Sequence, residues 1–316
     1  MKHLTPHIAV VVPSHDRALR LRWLLNALED QALENFEVIV AHDSGDETEA
    51  LLDQHPLARR GVLRSVRFAP GAGPAVKRNA GWRAARAPLV AFTDDDCRPP
   101  REWLTNAVAA AEGASARAVI QGATEPDPDE RNLLYRAAHV LTQRVDPPDP
   151  WAQTCNIVYP RALLERLGGF DESLPVAAGE DTDLALRARA AGAELVAAPE
   201  VRTYHAVDPI TLAEALRQAW RWQHMPYVAA RHPEIRREVL LVLFWKPEHA
   251  GILLARRFPL AALLVLPWAR LRLPPYGPSK RGRVRAAAEL PGRAAEDLVG
   301  VAALARGSLR YRTLFL

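Results

Sequence analysis

The feature that most constrains the fold is an alternation, over the first third of the chain, of short apolar runs with segments of helical periodicity. The apolar runs are residues 8–12, 36–41, 62–68 and 89–92. Residues 17–31 place leucines at helical spacing, and residues 75–86 follow a glycine-rich loop and are predicted to form a helix. Strands that alternate with helices in this way are typical of a mainly parallel, doubly wound sheet. We therefore predict an α/β fold of that kind.

A polar cluster follows each predicted strand or opens the helix after it. The clusters are residues 14–17, 42–46, 77–79 and 94–96. Parallel strands end at one edge of their sheet, and ligands bind in the crevice outside that edge. We therefore expect the four clusters to converge on one binding site. The loop at Gly71 and Gly73 matches neither the G-x-G-x-x-G nor the Walker pattern, which excludes nicotinamide-binding and P-loop sites.

Three successive aspartates, Asp94, Asp95 and Asp96, follow the fourth predicted strand. Like charges at this spacing repel one another and raise each other's pKa, so a fold that keeps them together needs a positive partner. Mg²⁺ typically takes one or two protein carboxylates together with substrate phosphates. The cluster therefore predicts a site for a divalent metal and a nucleoside diphosphate. A solvated acidic turn is the alternative.

The rest of the chain continues with shorter elements. The strands predicted there are residues 118–121, 154–159, 194–198 and 201–205. The helices predicted there are residues 99–112, 131–143, 161–167, 180–191 and 209–224. Two predicted turns combine glycine with acidic residues, at residues 168–172 and 179–183.

Six motifs, in this order, are similar to those of family 2 glycosyltransferases. They are Val11-Val12-Pro13-Ser14-His15-Asp16-Arg17, the aspartate Asp43 after the second strand, Lys77-Arg78-Asn79, Asp94-Asp95-Asp96, Gly168-Gly169-Phe170-Asp171-Glu172 and Gly179-Glu180-Asp181-Thr182-Asp183-Leu184. The resemblance covers roughly residues 6–225 and implies a GT-A fold. It implies a catalytic domain over residues 1–225, with a nucleotide-sugar half at about 1–115 and an acceptor half at 116–225. Residues 226–316 would then form a basic, apolar, helical C-terminal region.

The resemblance also implies a reaction, the inverting transfer of a sugar from a nucleoside-diphosphate sugar to an acceptor hydroxyl. The residues implied to bind the donor are Pro13, Asp43, Lys77, Arg78, Asp94 and Asp95. Asp96 is the expected direct ligand of Mn²⁺ or Mg²⁺, with Asp94 as a further candidate. His205 lies where some members of the family supply another metal ligand, and a structural role is its alternative.

Asp181 matches the catalytic base of the family's Glu-Asp motif, which takes the proton of the acceptor hydroxyl. Asp183 is a rival for that role. The alternative for Asp183, shared with Glu180, is capping of the helix that begins there. The resemblance otherwise assigns Glu180 to acceptor binding.

Gln218-x-x-Arg221-Trp222 is similar to the Q-x-x-R-W motif of processive polysaccharide synthases. Arg221 and Trp222 are therefore expected to contact the acceptor, with a core position for the tryptophan as the alternative. We do not expect processivity, because the sequence lacks the long transmembrane helices of those synthases.

The two cysteines, Cys97 and Cys155, make neither a disulfide framework nor a zinc-like spacing. Their scarcity is consistent with a reducing, cytoplasmic compartment. No basic region with a long apolar core precedes residues 8–12, so we expect no signal peptide.

The C-terminal region is strongly basic, with 16 Lys+Arg against 6 Asp+Glu from residue 231 to the end. Its apolar runs, residues 239–245 and 258–268, are shorter than the ~20 residues that span a bilayer, and they carry tryptophan with flanking arginine as interfacial helices do. We expect peripheral contact with the inner face of the cell membrane through residues 239–285, which would suit a glycolipid or other saccharide acceptor. A helical cap and a homodimer surface are alternatives, and no nucleic acid partner is expected.

The main alternative of a different class is a catalytically inactive binding or scaffold protein of the same fold. Such a protein would need neither the aspartate cluster nor Asp181. A nucleotidyltransferase is another alternative, because it also uses paired aspartates and a metal. It would usually carry a glycine-rich phosphate loop early in the chain, and residues 13–17 contain no glycine.

Overall fold

The computed structural model describes residues 5–239, 243–244, 249, 268, 272–273, 276 and 279–316. Internal contacts divide the chain into two compact units. The first comprises Met1–Pro128 and Thr142–Ala206, and the second comprises Asp129–Leu141 and Val207–Leu316. The predicted domain boundary after residue 225 stays a prediction.

Strands and helices alternate through the first half of the chain. The strands are β1 (Ile8–Ser14), β2 (Phe36–His42), β3 (Leu63–Arg67), β4 (Leu89–Phe92), β5 (Cys97–Arg98), β6 (Val119–Pro126), β7 (His139–Leu141), β8 (Ile157–Pro160), β9 (Leu195–His205) and β10 (Asp208–Ile210). The α-helices are α1 (Ala18–Glu29), α2 (Thr48–Gln54), α3 (Pro56–Arg59), α4 (Pro74–Ala84), α5 (Trp103–Glu112), α6 (Leu133–Arg136), α7 (Arg161–Leu167), α8 (Glu180–Ala190), α9 (Leu212–Trp220), α10 (Met225–Arg231) and α11 (Lys280–Arg310). Two 3-10 helices cover Arg221–His224 and Pro233–Glu238.

The first unit is built on an eight-stranded mixed sheet with the order β3-β2-β1-β4-β8-β6-β9-β5. Strands β1 to β4 are all parallel to one another, whereas β8 pairs antiparallel with both β4 and β6. The predicted α/β fold with a parallel core is therefore confirmed. Because β1, β2 and β4 run in one direction, their carboxyl ends lie at the same edge of the sheet.

Helices cover both faces of this sheet, because the central strands are apolar on both sides. Along β1, Ile8, Val10 and Val12 pack with α1 and α5 on one face. Ala9 and Val11 pack with α4, α7 and α8 on the other face. A strand buried on both faces carries a continuous apolar run rather than an alternating one, which is the pattern seen in the sequence.

Helix α4 approaches β1 closely because residue 81 is glycine. A Cβ atom at Gly81 would lie 2.3 Å from Cγ1 of Val11, a distance that real Cβ atoms essentially never show. The helix begins with Pro74 after Gly73, a favoured arrangement since proline at the first helical position loses no hydrogen bond. The close approach holds Lys77 and Arg78, one turn before Gly81, beside the end of β1.

Several predicted elements differ from the structure. The predicted helix 209–224 begins only at Leu212, because Asp208–Ile210 form β10, and from Arg221 it continues as a 3-10 helix. Residues 131–143 do not form one helix: α6 covers only one turn, and β7 pairs antiparallel with β10 within the second unit. Leu195–His205 form a single strand that runs through Pro199, whereas the sequence predicted two strands, residues 194–198 and 201–205. The register against β6 shifts between Gly122 and Ala123, and this irregularity accommodates the proline, which cannot donate to the ladder.

The described elements of the second unit are α6, β7, β10, α9 to α11 and the two 3-10 helices. Helix α9 begins with a capping box in which Thr211 and Glu214 satisfy each other's backbone N–H groups. None of the described helices is both long and apolar enough to cross a bilayer. Most of the segment 239–285, for which the sequence predicts membrane contact, lies outside the described residues.

Candidate functional site

The polar clusters that follow β1, β2 and β4 meet at the edge of the sheet. Ser14, the last residue of β1, donates its hydroxyl to Oδ2 of Asp95 over 2.7 Å. Lys77 of α4 donates to the backbone carbonyl of Ser14 over 2.8 Å and to Oδ1 of Asp43. These hydrogen bonds join residues 81 and 63 positions apart in the chain. The predicted convergence of the clusters is thus present in the structure.

Asp43 is buried and holds the glycine-rich loop against the end of β2. Its Oδ2 accepts hydrogen bonds from the backbone N–H groups of Gly71, at 2.8 Å, and Ala72, at 3.1 Å. Its Oδ1 accepts from Lys77 and lies 2.9 Å from Nδ1 of His15. Burial alone would raise the pKa of Asp43, but the hydrogen bonds from Lys77 and Gly71 outweigh it and lower the pKa to about 2. The carboxylate is therefore ionised across the physiological range. Pro13, which the resemblance assigns to donor binding together with Asp43, lies half-buried in β1, opposite Ala41 of β2.

Asp95 and Asp96 are both buried at the end of β4, and Arg17 is their cation. The guanidinium of Arg17 forms an ion pair with Oδ2 of Asp96 and lies 3.6 Å from Oδ1 of Asp95. Burial, and then the charge of Asp96, raise the pKa of Asp95 to about 7. The single positive charge of Arg17 does not balance two ionised carboxylates. A bound cation would neutralise the remaining negative charge.

A set of metal-ligand atoms lies beside Asp96. One ligand atom each from Asp96, Cys97 and His205 lie within 4.8 Å of one another, and all three residues are buried. Oδ1 of Asp96 is buried without a hydrogen-bond partner. Nε2 of His205 lies 3.4 Å from that oxygen. A carboxylate oxygen without a hydrogen-bond partner, an imidazole nitrogen and a thiol sulfur fit a divalent cation. The structure thus brings together two of the predicted metal ligands, Asp96 and His205. Asp94 lies outside this set.

Arg78 connects the aspartate cluster to the Glu-Asp motif. Its two terminal nitrogens donate to Oδ1 of Asp94, at 3.0 Å, and to Oε1 of Glu180, at 2.8 Å. The arginine side chain is only 5% exposed, so both ion pairs are shielded from water. Gln143 lies 3.5 Å from Oδ2 of Asp94. Arg78 therefore joins one predicted donor-site residue, Asp94, to a predicted acceptor-site residue, Glu180.

Asp181 lies in the first turn of α8, directly after Glu180, and is half-buried. Its Oδ1 accepts the backbone N–H of Thr182 over 2.8 Å. Burial, followed by the charge of Glu180, raises the pKa of Asp181 to about 7 in spite of the opposing influence of Arg78. A carboxyl group with this pKa can both accept and release a proton near neutrality.

Asp183, the rival base in the same turn, is fully buried and accepts a hydrogen bond from Nε of Arg187 over 2.7 Å. Arg187 in turn donates to the backbone carbonyls of Leu167 and Gly169. These contacts tie α8 to the end of α7. They give Asp183 a structural role rather than an accessible position.

Asn79, the third residue of the Lys-Arg-Asn motif, binds the Gly-Gly-Phe-Asp-Glu turn. Its amide donates to the carbonyl of Phe170, at 2.9 Å, and to Oε1 of Glu172, at 2.7 Å. Its oxygen accepts the backbone N–H of Phe170. Gly169 has a φ of +78° in this turn, and a Cβ there would lie 2.2 Å from the oxygen of Asn79. The two motifs are thus one structural element on the α4 side of the site.

Arg221 and Trp222 belong to the second unit, in the 3-10 helix that follows α9. The guanidinium carbon of Arg221 lies 4.8 Å from the ring centroid of Trp222. Both residues line a cavity of about 250 Å³ within that unit, together with His139, Arg293 and Glu296. The cavity offers charged groups and an aromatic ring, and acceptor binding by these residues stays a prediction.

Several site residues were not assigned by the sequence. Arg17 and His15 lie in a predicted polar cluster, but nothing in the sequence tells which aspartate each would bind. Gln143 lies in a segment predicted to be helical. Cys97 directly follows Asp96, yet its proximity to His205 depends on a strand of two residues that is too short to recognise in a sequence.

Comparison with protein families gives two matches. The family model for glycosyl transferase family 2 matches residues 9–167, about half of the chain. A second model, glycosyl transferase family group 2, matches residues 89–274.

Two curated relatives are similar over most of this chain. A validoxylamine A glucosyltransferase of Streptomyces hygroscopicus is 26% identical over 288 residues, covering 78% of this chain and 65% of that protein. A pre-mycofactocin glycosyltransferase of Mycobacterium tuberculosis is 27% identical over 239 residues, covering 72% of this chain and 48% of that protein. The chain thus spans between about half and two thirds of the length of these relatives.

Among solved structures, a mannosyltransferase of Pyrobaculum calidifontis in complex with GDP-Man and Mn²⁺ superposes with a TM-score of 0.61 at 20% identity. The superposition covers 98% of this chain and 88% of that one. The likeness establishes a shared fold, and the GT-A fold predicted from the sequence motifs is confirmed.

Proposed function

This chain belongs to glycosyl transferase family 2, and we propose that it transfers a sugar from a nucleoside-diphosphate sugar to an acceptor hydroxyl, with inversion at the anomeric carbon and with the help of a divalent metal. The donor nucleotide and the acceptor are not specified by the residues described. A glycan or a lipid-linked saccharide of the cell surface is the acceptor class that we favour.

The observation that carries this proposal is the double ion pair of Arg78. One buried guanidinium holds Asp94 of the aspartate cluster and Glu180 of the Glu-Asp motif at fixed separation. Asp181 follows Glu180 directly, so its position relative to the aspartate cluster is fixed as well. A carboxyl group that can take a proton and a cluster that can hold a diphosphate are thereby organised around one site. An inactive scaffold would need neither these buried charges, which are costly to desolvate, nor their alignment.

The donor side of the site is built from residues that bind rather than react. The loop that Asp43 fixes through Gly71 and Ala72 forms one wall, and we propose that it cradles the nucleotide. Both oxygens of Asp43 are already hydrogen-bonded to the protein, so it acts on the nucleotide chiefly by holding this loop. Lys77 and Arg17 add positive charge near the phosphates. Arg78 is committed to two carboxylates, and its contribution to phosphate binding is electrostatic.

We assign the metal position to Asp96 and His205, because Oδ1 of Asp96 is orphaned and the imidazole faces it. A divalent cation bound there would stabilise the negative charge that develops on the leaving diphosphate. Without it, Arg17 is the cation in contact with Asp96, and it remains available to orient that carboxylate. Ser14 positions Asp95 in the same cluster through its hydroxyl.

Asp181 is proposed as the general base. The acceptor hydroxyl is a weak nucleophile at neutral pH, and its proton must leave as the new glycosidic bond forms. The pKa of Asp181, raised to about 7, is suited to that transfer. Direct attack by the acceptor inverts the anomeric carbon, and no second nucleophile is needed. Glu180, which is tied to Arg78 and to the N–H of Ala178, positions this turn for the acceptor.

In the second unit, Arg221 and Trp222 are proposed to contact the acceptor through their cavity, since the indole ring offers a stacking face to a sugar. Peripheral membrane contact through residues 239–285 remains part of the proposal, on the sequence pattern alone. A homodimer surface in the same region is its alternative.

A panel of nucleotide sugars tests the proposal. We expect one of the UDP-, GDP- or dTDP-sugars to raise the melting temperature in the presence of Mn²⁺, and less so after EDTA. The same donor should then release its nucleoside diphosphate when an acceptor is supplied, and the anomeric configuration of the product is read by NMR. A donor that binds without turnover by any acceptor would favour a binding protein. If no nucleotide sugar binds with or without metal, the proposed function is wrong.

A further inference from the structure

We propose that Cys97 is a third protein ligand at the metal position of Asp96 and His205, and that its thiolate makes this position selective for thiophilic divalent cations such as Zn²⁺ and Co²⁺ over Mn²⁺ and Mg²⁺. The inference deepens the proposed function, on which it rests for the role of the site. Its evidence and its test concern the free protein and the metal only.

Strand pairing places Cys97 and His205 side by side. The two-residue strand β5 pairs antiparallel with β9, and Cys97 lies directly opposite His205. Side chains of directly opposite residues in an antiparallel pair lie on the same face of the sheet, about 4.5–5.5 Å apart at their Cβ atoms. Asp96 immediately precedes this strand, and its carbonyl accepts the N–H of Ala206 over 2.9 Å. Backbone pairing therefore brings Asp96 and Cys97, which are adjacent in the chain, next to His205 of the neighbouring strand.

Two of the three ligand atoms, Nε2 of His205 and Oδ1 of Asp96, face each other without a hydrogen bond between them. Nδ1 of His205 lies 3.0 Å from the carbonyl oxygen of Ala206, which only accepts, so in this contact Nδ1 is the donor. In the neutral ring Nε2 then carries the lone pair, and it faces Oδ1 of Asp96 at 3.4 Å. That oxygen is buried and has no hydrogen-bond partner. Two facing acceptors in a buried site are stabilised by a cation that both can ligate.

The thiol of Cys97 completes the set. Its Sγ contacts the carbonyl of Cys155 at 3.7 Å, a weak interaction, and also lies within 4.8 Å of the ligand atoms of Asp96 and His205. Cys97 is a free, buried cysteine, and its thiol carries its proton when no metal is bound. Binding of a divalent cation releases that proton to solvent and forms a metal–thiolate bond.

The chemistry of the donor set decides the selectivity. Carboxylate oxygen and water suit Mg²⁺ and Mn²⁺, whereas thiolate and imidazole favour Zn²⁺ and related ions. Three protein ligands with a further position open is the arrangement of catalytic zinc sites. A site with Asp96 and His205 alone would not discriminate in this way. Cys97 is therefore the residue that sets metal preference at this position.

Cobalt spectroscopy tests the inference, because Co²⁺ bound to a thiolate gives a sulfur-to-metal charge-transfer band in the near ultraviolet. The chain contains two cysteines, so in Cys155→Ala a charge-transfer band can arise from Cys97 alone. We expect donor-free wild-type protein and Cys155→Ala to show the band with one equivalent of Co²⁺, and Cys97→Ser to lack it. Zn²⁺ affinity, measured by calorimetry, should fall at least about 10-fold in Cys97→Ser, while Mn²⁺ affinity changes little.

Three results would overturn the inference: no binding of Co²⁺ to the wild-type protein, binding without the charge-transfer band, or a band that survives in Cys97→Ser and is lost in Cys155→Ala. If Cys97→Ser does not fold, the spectrum of Cys155→Ala decides by itself. If the wild-type protein shows the charge-transfer band but binds no nucleotide sugar, the proposed function is contradicted, whereas the inference that Cys97 is a metal ligand still stands.

Discussion

Asp43 and Asp181 carry the same side chain in two regions of the first unit, and their environments drive its acidity in opposite directions. Asp43 is buried, but a lysine and two backbone N–H groups bind its oxygens, and its pKa falls to about 2. Asp181 is half-buried beside a second carboxylate, and its pKa rises to about 7. Burial acts in the same sense on both, so the difference comes from the partners. The environment of Asp43 keeps its carboxylate ionised, whereas that of Asp181 allows its carboxyl group to gain or lose a proton near neutrality.

Arg78 explains why Asp181 is left without a dedicated cation. The guanidinium hydrogen-bonds Asp94 and Glu180, so it lowers the pKa of Asp181 only through space. Lys77, one residue earlier on α4, is instead committed to Asp43. Two adjacent basic residues on one helix thus stabilise one aspartate fully and another only in part.

The largest effect is expected for Asp181→Asn, which removes the proposed base without changing the shape of the side chain. We expect kcat to fall on the order of 100- to 10,000-fold, the usual contribution of a general base. Donor affinity should be nearly unchanged, because Asp181 lies outside the region of Asp43. Steady-state kinetics and donor calorimetry measure the two quantities separately.

Asp183→Asn is the matched control, since it changes the same group two residues away. Because Asp183 is buried against Arg187, we expect lower thermal stability but a kcat close to wild type for the folded fraction. The assignment of the base is wrong if Asp183→Asn loses turnover and Asp181→Asn keeps it.

The next effect concerns Arg78→Ala. Removing one partner of a buried ion pair leaves the others unpaired and typically costs about 3–5 kcal/mol in the free energy of unfolding. Asp94 and Glu180 would both be left in this state. Urea denaturation at neutral pH measures the loss. The matched control is Arg83→Ala on the same helix, whose pair with Glu172 is exposed and should be worth less than about 1 kcal/mol. Equal losses in the two variants would contradict the central role given to Arg78.

Much of the structure around Asp43 could be predicted from the sequence. Apolar runs of strand length predicted the parallel strands, and polar residues at the ends of those runs predicted where the site would lie. The ion-pair and hydrogen-bond partners of individual carboxylates could not be predicted, because they depend on which side chains extend across the edge of the sheet in the folded protein. Arg17 illustrates this, since it contacts aspartates 78 and 79 positions later in the chain.

The structure around β5 and β7 was less predictable for a different reason. Both strands are two or three residues long, and each exists because a partner strand pairs with it. Local propensity therefore carried little information, and residues 131–143 were wrongly predicted to be helical. The same limit concealed the pairing of Cys97 with His205. The raised pKa of Asp181 was also hidden, because a helix N-terminus by itself would lower it.

A smaller effect is expected for Lys77→Met, which removes the cation of Asp43. The pKa of Asp43 lies near 2 in the folded protein, below its ordinary value of 3.8. A lowered pKa contributes stability above pH 4 that is lost as the pH falls toward 2, about 2 kcal/mol at most. In Lys77→Met the pKa should rise and this contribution should shrink, although Gly71 and Ala72 still donate to the carboxylate. Acid unfolding, followed by circular dichroism, should then begin at a higher pH. Parallel acid transitions of the two proteins would show that Lys77 does not hold this carboxylate.

The smallest effect is expected in the pH dependence of kcat at saturating donor and metal. It tests the difference in acidity between Asp43 and Asp181 most directly. Asp181 must be deprotonated to act as a base, so kcat should fall about tenfold per pH unit below an apparent pKa of about 7. That value belongs to the pair with Glu180, since the two carboxyl groups interact. Glu180→Gln retains a hydrogen-bond acceptor for Arg78 but removes the neighbouring charge that raises the pKa. The acid limb should therefore move to lower pH in this variant. A limb that stays in place would mean that burial alone sets the acidity of Asp181, and a flat profile in the wild-type protein would remove Asp181 from the proton transfer.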